Sequence, residues 1–273
     1  MLAQSTAKPK KTKYEIKDWI EIYSSWNHLL KPEEVVLQKL KPVLPTMRML
    51  DIGVGGGRTT HFFCDAVREY VGIDFDDNMI EACRKKFPQR SGKVSFHTCD
   101  ARSIEMFEDG SFDFVLFSFN GMDYLPWEDR PKAFREILRV GKRGGYFLFS
   151  THNLNSVERL FSLRQITDTR SFFREWKRYF LLRLRNEDAN KLKARDHAQI
   201  YDGVYSKKLR WLIPSLFRKM GFFWYTRPEL QVQQLNDLGF RNIILYTVDG
   251  REFRDVAEAG ASKDYWVHYF CEM

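Results

Sequence analysis

The stretch Met49-Leu50-Asp51-Ile52-Gly53-Val54-Gly55-Gly56-Gly57 sets an acid and a run of glycines at the end of an apolar segment. Glycines at a strand-to-helix turn let the backbone approach a ligand closely, and the start of the helix offers N–H groups to it. A dinucleotide-binding loop also begins Gly-x-Gly, so the glycines alone leave two readings. The dinucleotide version wants a small residue where Arg58 stands, for tight packing of helix on strand. Asp51, ahead of the first glycine, repels a pyrophosphate and suits a ligand carrying positive charge. Two further acids close the next apolar runs. Asp74 follows the first glycine by about 20 residues, where an acid accepts from ribose hydroxyls. Asp100 closes the third run and is placed to accept from an adenine amino group, with Met79 available to pack on the adenine face. Strand-end aspartates also serve as helix N-caps. Three at successive strand ends around a glycine loop, however, line the crevice in which open α/β sheets bind ligands.

The elements that must position these residues follow from periodicity. Short apolar runs at 48–53, 70–75, 94–100, 112–119 and 146–152 read as buried strands. Between them, 57–68, 77–87 and 130–140 carry helical spacing, and GKRGG (141–145) reads as a turn. Strands alternating with helices of this length imply a parallel sheet covered on both faces. The rhythm stops after Asn155 and returns with a helix at 228–240 and strands at 241–248 and 263–273. The expected fold is therefore α/β: a doubly wound, mostly parallel, seven-stranded sheet with an antiparallel edge and a helical insertion after strand 5. The expected organisation is a basic tail (1–13), an N-terminal helical lid (14–46), a ligand-binding domain (47–152 with 228–273) and a basic, mostly helical cap (153–227).

The ordered set Asp51-Ile-Gly-Val-Gly-Gly-Gly, Gly72-Ile-Asp74, Cys99-Asp100-Ala101, Phe112-Asp-Phe-Val-Leu-Phe117 and Leu138-Arg-Val-Gly-Lys-Arg-Gly144-Gly145 resembles the successive motifs of class I S-adenosylmethionine-dependent methyltransferases. The resemblance covers roughly 47–152, with 228–272 fitting more weakly, and implies the Rossmann-like methyltransferase fold. It implies S-adenosyl-L-methionine as cofactor and S-adenosyl-L-homocysteine as product. Carried over by position, Gly53 and Gly55 hold the methionyl part, Asp74 the ribose, and Asp100 with the Ala101 amide the adenine; Asp51, Phe75, Met79 and Phe119 complete the cofactor set. Arg58 stands where many members carry Thr or Ser.

The expected reaction places the methyl on an oxygen or nitrogen of a small-molecule acceptor. An oxygen or carbon acceptor must also lose a proton, which calls for a general base, and a neutral amine need not. The ends of strands 4 and 5 offer Asn120, Asp123, Tyr124 and His152. His152 is the preferred base because histidine titrates in the useful range, with Tyr124 and Asn120 shaping the pocket; Tyr23 and His28 are lid candidates. No metal site is expected, since the four cysteines are scattered without Cys/His pairing, a pattern that also points to a reducing, cytoplasmic setting. The net charge of +8 is concentrated between Glu158 and Met220, which hold 16 Lys and Arg against 7 Asp and Glu. There SFFREWKRYFLLRLR (171–185) interleaves aromatics with basic residues. It reads first as a substrate cap favouring an acidic or aromatic small molecule, then as an RNA-binding face, then as a membrane-surface helix. No apolar run approaches the ~20 residues of a membrane span. A non-catalytic cofactor-binding protein and an NAD-dependent oxidoreductase remain the contrasting classes.

Overall fold

The computed structural model describes residues 20–21, 23–88, 92–157, 186, 191–192, 194–201 and 222–273. Its centre is a run of five parallel strands, β1 (Arg48–Ile52), β2 (Glu69–Asp74), β3 (Val94–Thr98), β4 (Phe112–Phe117) and β5 (Gly141–Asn153), in the spatial order β3-β2-β1-β4-β5. The order reverses at β1, so the crevice beyond the carboxyl ends of β1 and β4 is the switch point at which such sheets take ligands. Beyond β5, β9 (Trp266–Glu272) pairs antiparallel over Tyr146–His152, and β8 (Arg241–Tyr246) pairs antiparallel with β9. These seven strands are the expected set, with the expected antiparallel edge.

Alternation along the strands assigns each side chain to a face. Leu50, Ile52, Val71, Ile73, Val115, Phe117, Phe147 and Phe149 share one core with α4 (Arg130–Val140) and α5 (Pro228–Leu238). Met49, Tyr70, Phe114, Leu116, Leu148 and Phe270 share the other with α1 (Lys31–Leu40), α2 (Thr60–Phe63) and α3 (Asp77–Lys86). Helix ends follow local chemistry: Asp76 caps α3 by accepting from the Asn78 N–H at 3.1 Å, and Gly239, at φ 107°, closes α5 in the left-handed region.

Three expectations are corrected. The sheet has nine strands among the described residues, because the insertion itself supplies β6 (His197–Tyr201) and β7 (Phe222–Thr226). These form an antiparallel pair, and β7 docks parallel to the end of β5 through His152 and Asn153. Within the described part of the insertion β6 and β7 extend the sheet, the alternating Ala198/Ile200 and Phe223/Tyr225 burying one face with Leu154 and Val157; most of the expected helical cap lies outside the described residues. The basic segment 171–185 lies outside the described residues. GKRGG belongs to β5, where register slips between the Phe112–Gly141 and Phe114–Tyr146 pairs and Gly144 sits at φ 78°. Finally, the helix expected over 57–68 is confined to Thr60–Phe63, short of the charged Asp65–Arg68 end. A last short helix, α6 (Val256–Ala261), precedes β9 and is capped by Asp255.

Candidate active site

The glycine loop turns where β1 ends. Gly53 has φ 65°, where any side chain is strained, and a Cβ there would crowd the Phe117 ring at 3.1 Å. Gly55, at φ 54°, is uncrowded: a Cβ built on it would meet only the Gly53 carbonyl oxygen, at 3.9 Å. Bare backbone beside an open crevice is what a methionyl chain laid along the loop requires. Asp51 takes a different place from the one expected. Its Oδ2 accepts from the Thr59 and Tyr70 hydroxyls in the core beneath the loop, and burial pushes its pKa up to about 6 against those bonds. It anchors the turn from below.

Asp74, buried at the end of β2, accepts from the Gly55 N–H at 3.0 Å and the Asp76 N–H at 2.9 Å. It therefore sits against the glycine loop at the end of β2. Phe75 beside it is exposed and Met79 half-buried on the first turn of α3. Asp100 is held by Arg102, whose Nε reaches Oδ1 at 3.0 Å and whose Nη2 reaches Oδ2 at 2.6 Å, while Nη1 pairs with Asp129. Those bonds keep the Asp100 carboxyl below its ordinary range. Ala101 is buried alongside.

Arg58, out of place in a dinucleotide loop, has its own work. It forms a two-pronged pair with Glu33 of α1, both bonds 2.7 Å, and donates to the His28 carbonyl at 2.9 Å and the Ser118 hydroxyl at 2.6 Å. Burial pushes Glu33 up, but Arg58 outweighs it and holds the carboxyl below the usual range. The pair ties the chain before α1 to the glycine loop. A Cβ on Gly56 would come within 2.4 Å of the Ser24 backbone nitrogen, and Lys86 Nζ donates to both the Ser24 and Gly56 carbonyls. Tyr23 hydrogen-bonds Tyr124 and feels the charge of Asp74; burial raises its pKa. Tyr23 is thus placed over the crevice, while His28 gives its carbonyl to Arg58 and its ring to Trp26, 6.5 Å away.

The strand-4 and strand-5 residues converge. Phe119 and Asn120 follow β4 with φ 54° and 56°, two successive non-glycine residues in the left-handed region. Such conformations persist only where surroundings enforce them and cluster at functional sites. Here the Asn120 N–H donates to Ser150 Oγ at 2.9 Å, and Phe119 packs between Trp26 and Trp266 at ring-centre distances of 5.1 and 5.0 Å. His152, buried near the end of β5, places Nδ1 2.8 Å from Asp123 Oδ2, which also accepts the His152 backbone N–H at 2.7 Å. Asp123 Oδ1 takes Arg130 Nη1 at 2.9 Å, and Arg130 Nη2 reaches Gln231. Asn120 Nδ2 stands 3.4 Å from His152 Nε2. Phe223 and Tyr225 of β7 flank the imidazole at 5.2 and 4.7 Å, and Trp266 meets it edge-on at 5.9 Å. Tyr124 is half exposed at the rim, edge-on to Phe223 at 4.9 Å.

His152 and Asn120 are brought together as expected. Asp123 was one of four candidates without a role; its role comes from the pairing of β4 with β5, which sets their ends side by side. Glu33, Arg130 and Ser150 carried no sequence signal, being ordinary residues until their partners arrive from distant segments. Among the described residues no group of His, Cys, Asp or Glu is arranged to hold a metal, all four cysteines are free, and no helix is long and apolar enough to cross a membrane.

Residues 49–145 match the family model described as a methyltransferase domain. An uncharacterized methyltransferase of Bacillus subtilis is 36% identical over 107 residues, covering 38% of this chain and 40% of that protein. A Caenorhabditis elegans protein named phosphoethanolamine N-methyltransferase 2 is 29% identical over 140 residues, 50% of this chain and 31% of that one. The chain thus spans less than half the length of these curated relatives. Among solved structures, an S-adenosylmethionine-dependent methyltransferase from Clostridium acetobutylicum superposes with a TM-score of 0.60 at 13% identity, over 94% of this chain and 98% of that one. At that identity the likeness concerns the fold.

Proposed function

We propose, on the premise that residues 49–145 are a class I S-adenosylmethionine-dependent methyltransferase domain, that this chain methylates an oxygen of a small-molecule acceptor. Bound in the crevice, S-adenosylmethionine supplies a methyl group on a sulfonium, with a thioether as leaving group and S-adenosylhomocysteine as product. The backbone at Gly53 and Gly55 would hold its methionyl part, Asp74 its ribose, and Asp100 with the Ala101 amide its adenine. Met79, Phe75 and Phe119 provide apolar surface around it. The uncrowded, left-handed backbone at Gly55 beside Asp74 supports this fit.

The observation that carries the choice of oxygen is the Asp123–His152 pair. A neutral amine attacks with its lone pair and needs no proton removed first, whereas a hydroxyl is a poor nucleophile until its proton leaves. Asp123 accepts the Nδ1–H of His152, which fixes the tautomer with Nε2 as the basic nitrogen and stabilises the imidazolium after Nε2 takes the proton. Arg130, buried behind Asp123, sets a positive charge against the far carboxylate oxygen and keeps it aimed. The aromatic surround of β7 and β9 excludes water and orients a flat acceptor; orientation of this kind is worth roughly 7–11 kcal/mol. A similar protein is named for nitrogen methylation, so the likeness leaves the atom open and the Asp123–His152 pair is what supports oxygen.

The test has two stages. Calorimetric titration with S-adenosylmethionine and, separately, with NADH is expected to show binding of the first alone; binding of NADH alone overturns the reading. His152→Gln is then expected to lower turnover by about 10²-fold or more, with S-adenosylhomocysteine affinity within twofold of the parent. A fully active variant removes His152 as the base.

A further inference from the structure

Asn120 is 1% exposed, and its side-chain oxygen Oδ1 is a buried acceptor with no hydrogen-bond partner. Native structures rarely leave such an atom unmatched, because burying an unbonded carbonyl forfeits its bonds to water. The orientation of the amide follows from its neighbours. Asp123 takes the Nδ1–H of His152, so Nε2 is an acceptor and must meet the NH2 side of the Asn120 amide, which it does at 3.4 Å. Turning the amide over would set two acceptors against each other. The tautomer therefore fixes the amide, and the amide leaves Oδ1 unmatched. The backbone holds it there: Phe119 and Asn120 are both left-handed, and the Asn120 N–H is tied to Ser150. Strain kept at a buried polar residue next to a base is a mark of a site.

Two acceptors thus stand together, Nε2 of the base and Oδ1 of Asn120, in a surround of rings: Phe223, Tyr225 and Trp266 about His152, and Phe119 beside Asn120. We propose that Asn120 selects the acceptor, which is an aromatic hydroxyl compound bearing a second hydrogen-bond donor on the adjacent ring carbon. The hydroxyl to be methylated displaces the long 3.4 Å Asn120 Nδ2 contact from the single Nε2 lone pair of His152 and gives its proton there, its O–H electrons staying on the oxygen that takes the methyl, while the neighbouring donor hydrogen-bonds Asn120 Oδ1. A lone hydroxyl leaves Oδ1 unmatched and is disfavoured, since a site built to pair a donor rejects the analogue that lacks it. This rests on the assignment of an oxygen acceptor above and deepens it.

The experiment is calorimetric titration of the full chain, saturated with S-adenosylhomocysteine, with catechol and with phenol. Catechol is expected to bind at least tenfold more tightly. Asn120→Gly, which suits the left-handed backbone and removes the carbonyl, is expected to bring the two within twofold; Asn120→Asp, which keeps an acceptor and tolerates the same backbone, is expected to retain the preference. Thermal melting checks that both variants fold. Equal affinities in the parent, no binding of either probe, or a preference that survives Asn120→Gly overturns the proposal. Those results leave the oxygen-methylation reading standing as long as S-adenosylmethionine binds and His152→Gln impairs turnover on any hydroxyl acceptor. Absence of S-adenosylmethionine binding overturns that reading instead.

Discussion

Asp51 and Asp74 end neighbouring strands, and the sheet gives them opposite tasks. Asp51 is sealed among Thr59, Tyr70 and the underside of the loop, and burial lifts its pKa to about 6 from 3.8. A carboxyl raised in this way favours folding in its protonated form. Its contribution is full below pH 3.8, and it is lost as pH rises through about 6. The whole titration is worth about 3 kcal/mol. Glu33 works with the opposite sign: held low by Arg58, it stabilises above its ordinary value and loses that as pH falls. Between pH 4.5 and 7, then, the Asp51 effect stands apart from that of Glu33. His268, whose burial lowers its pKa to about 4, gains stability over the same window, so the Asp51 effect is read as a difference. The melting temperature of the parent relative to Asp51→Asn is expected to fall as pH rises from 4.5 to 7, and a constant difference would refute the assignment. Asp74 is the acid proposed to hold the ribose. Each hydrogen bond to a charged acceptor contributes about 1.5–3 kcal/mol, so Asp74→Ala should weaken S-adenosylmethionine binding at least tenfold by calorimetry. Unchanged affinity would remove it from the ribose.

At the scale of elements, α1 is joined to the glycine loop by a buried ion pair. Removing one member of such a pair costs about 3–5 kcal/mol, whereas replacing both with apolar residues of similar size is often neutral. Arg58→Met is therefore expected to lower the melting temperature clearly, and Glu33→Leu with Arg58→Met to recover most of the loss. A double variant as unstable as the single one would show that Arg58 matters through Ser118 and the His28 carbonyl alone. This clamp also marks the limit of what the sequence discloses. The strand–helix alternation and the three strand-end acids are local patterns, so the parallel sheet, its antiparallel edge and the crevice are legible in the chain. Arg58 advertised itself only by misfitting a motif, because Glu33 is 25 residues away and helix periodicity alone does not say which loop a helix covers. Asp123 and His152 are 29 residues apart and meet only because β4 and β5 are neighbours. The β6–β7 pair hid within a strongly basic stretch, where charge obscured the short alternation of Ala198 with Ile200 and Phe223 with Tyr225.

Across the molecule, the first and last described segments meet over the end of β4. Trp26, ahead of α1, packs on Phe119; Phe119 packs on Trp266 of β9; and Trp266 packs on His152, with ring centres 5.1, 5.0 and 5.9 Å apart. A continuous file of rings thus runs from the cover on the glycine loop to the base. The same cover places Tyr23 by Asp74 and Tyr124 and the Ser24 backbone on Gly56. A ligand lying on the loop must pass the cover to enter or leave, so the cover acts on rates of exchange as well as on affinity. A chain beginning at Lys31 keeps α1 and its Glu33–Arg58 pair but lacks Tyr23, Ser24, Trp26 and the His28 carbonyl. Compared with a chain beginning at Ile20, it is expected to release S-adenosylhomocysteine at least tenfold faster in stopped-flow displacement. Its melting temperature without ligand should fall only modestly, since the buried ion pair stays and the two cores lose only Leu29. Equal release rates would mean that the cover rests on the loop without holding the ligand, and a collapse in melting temperature would make it part of the core.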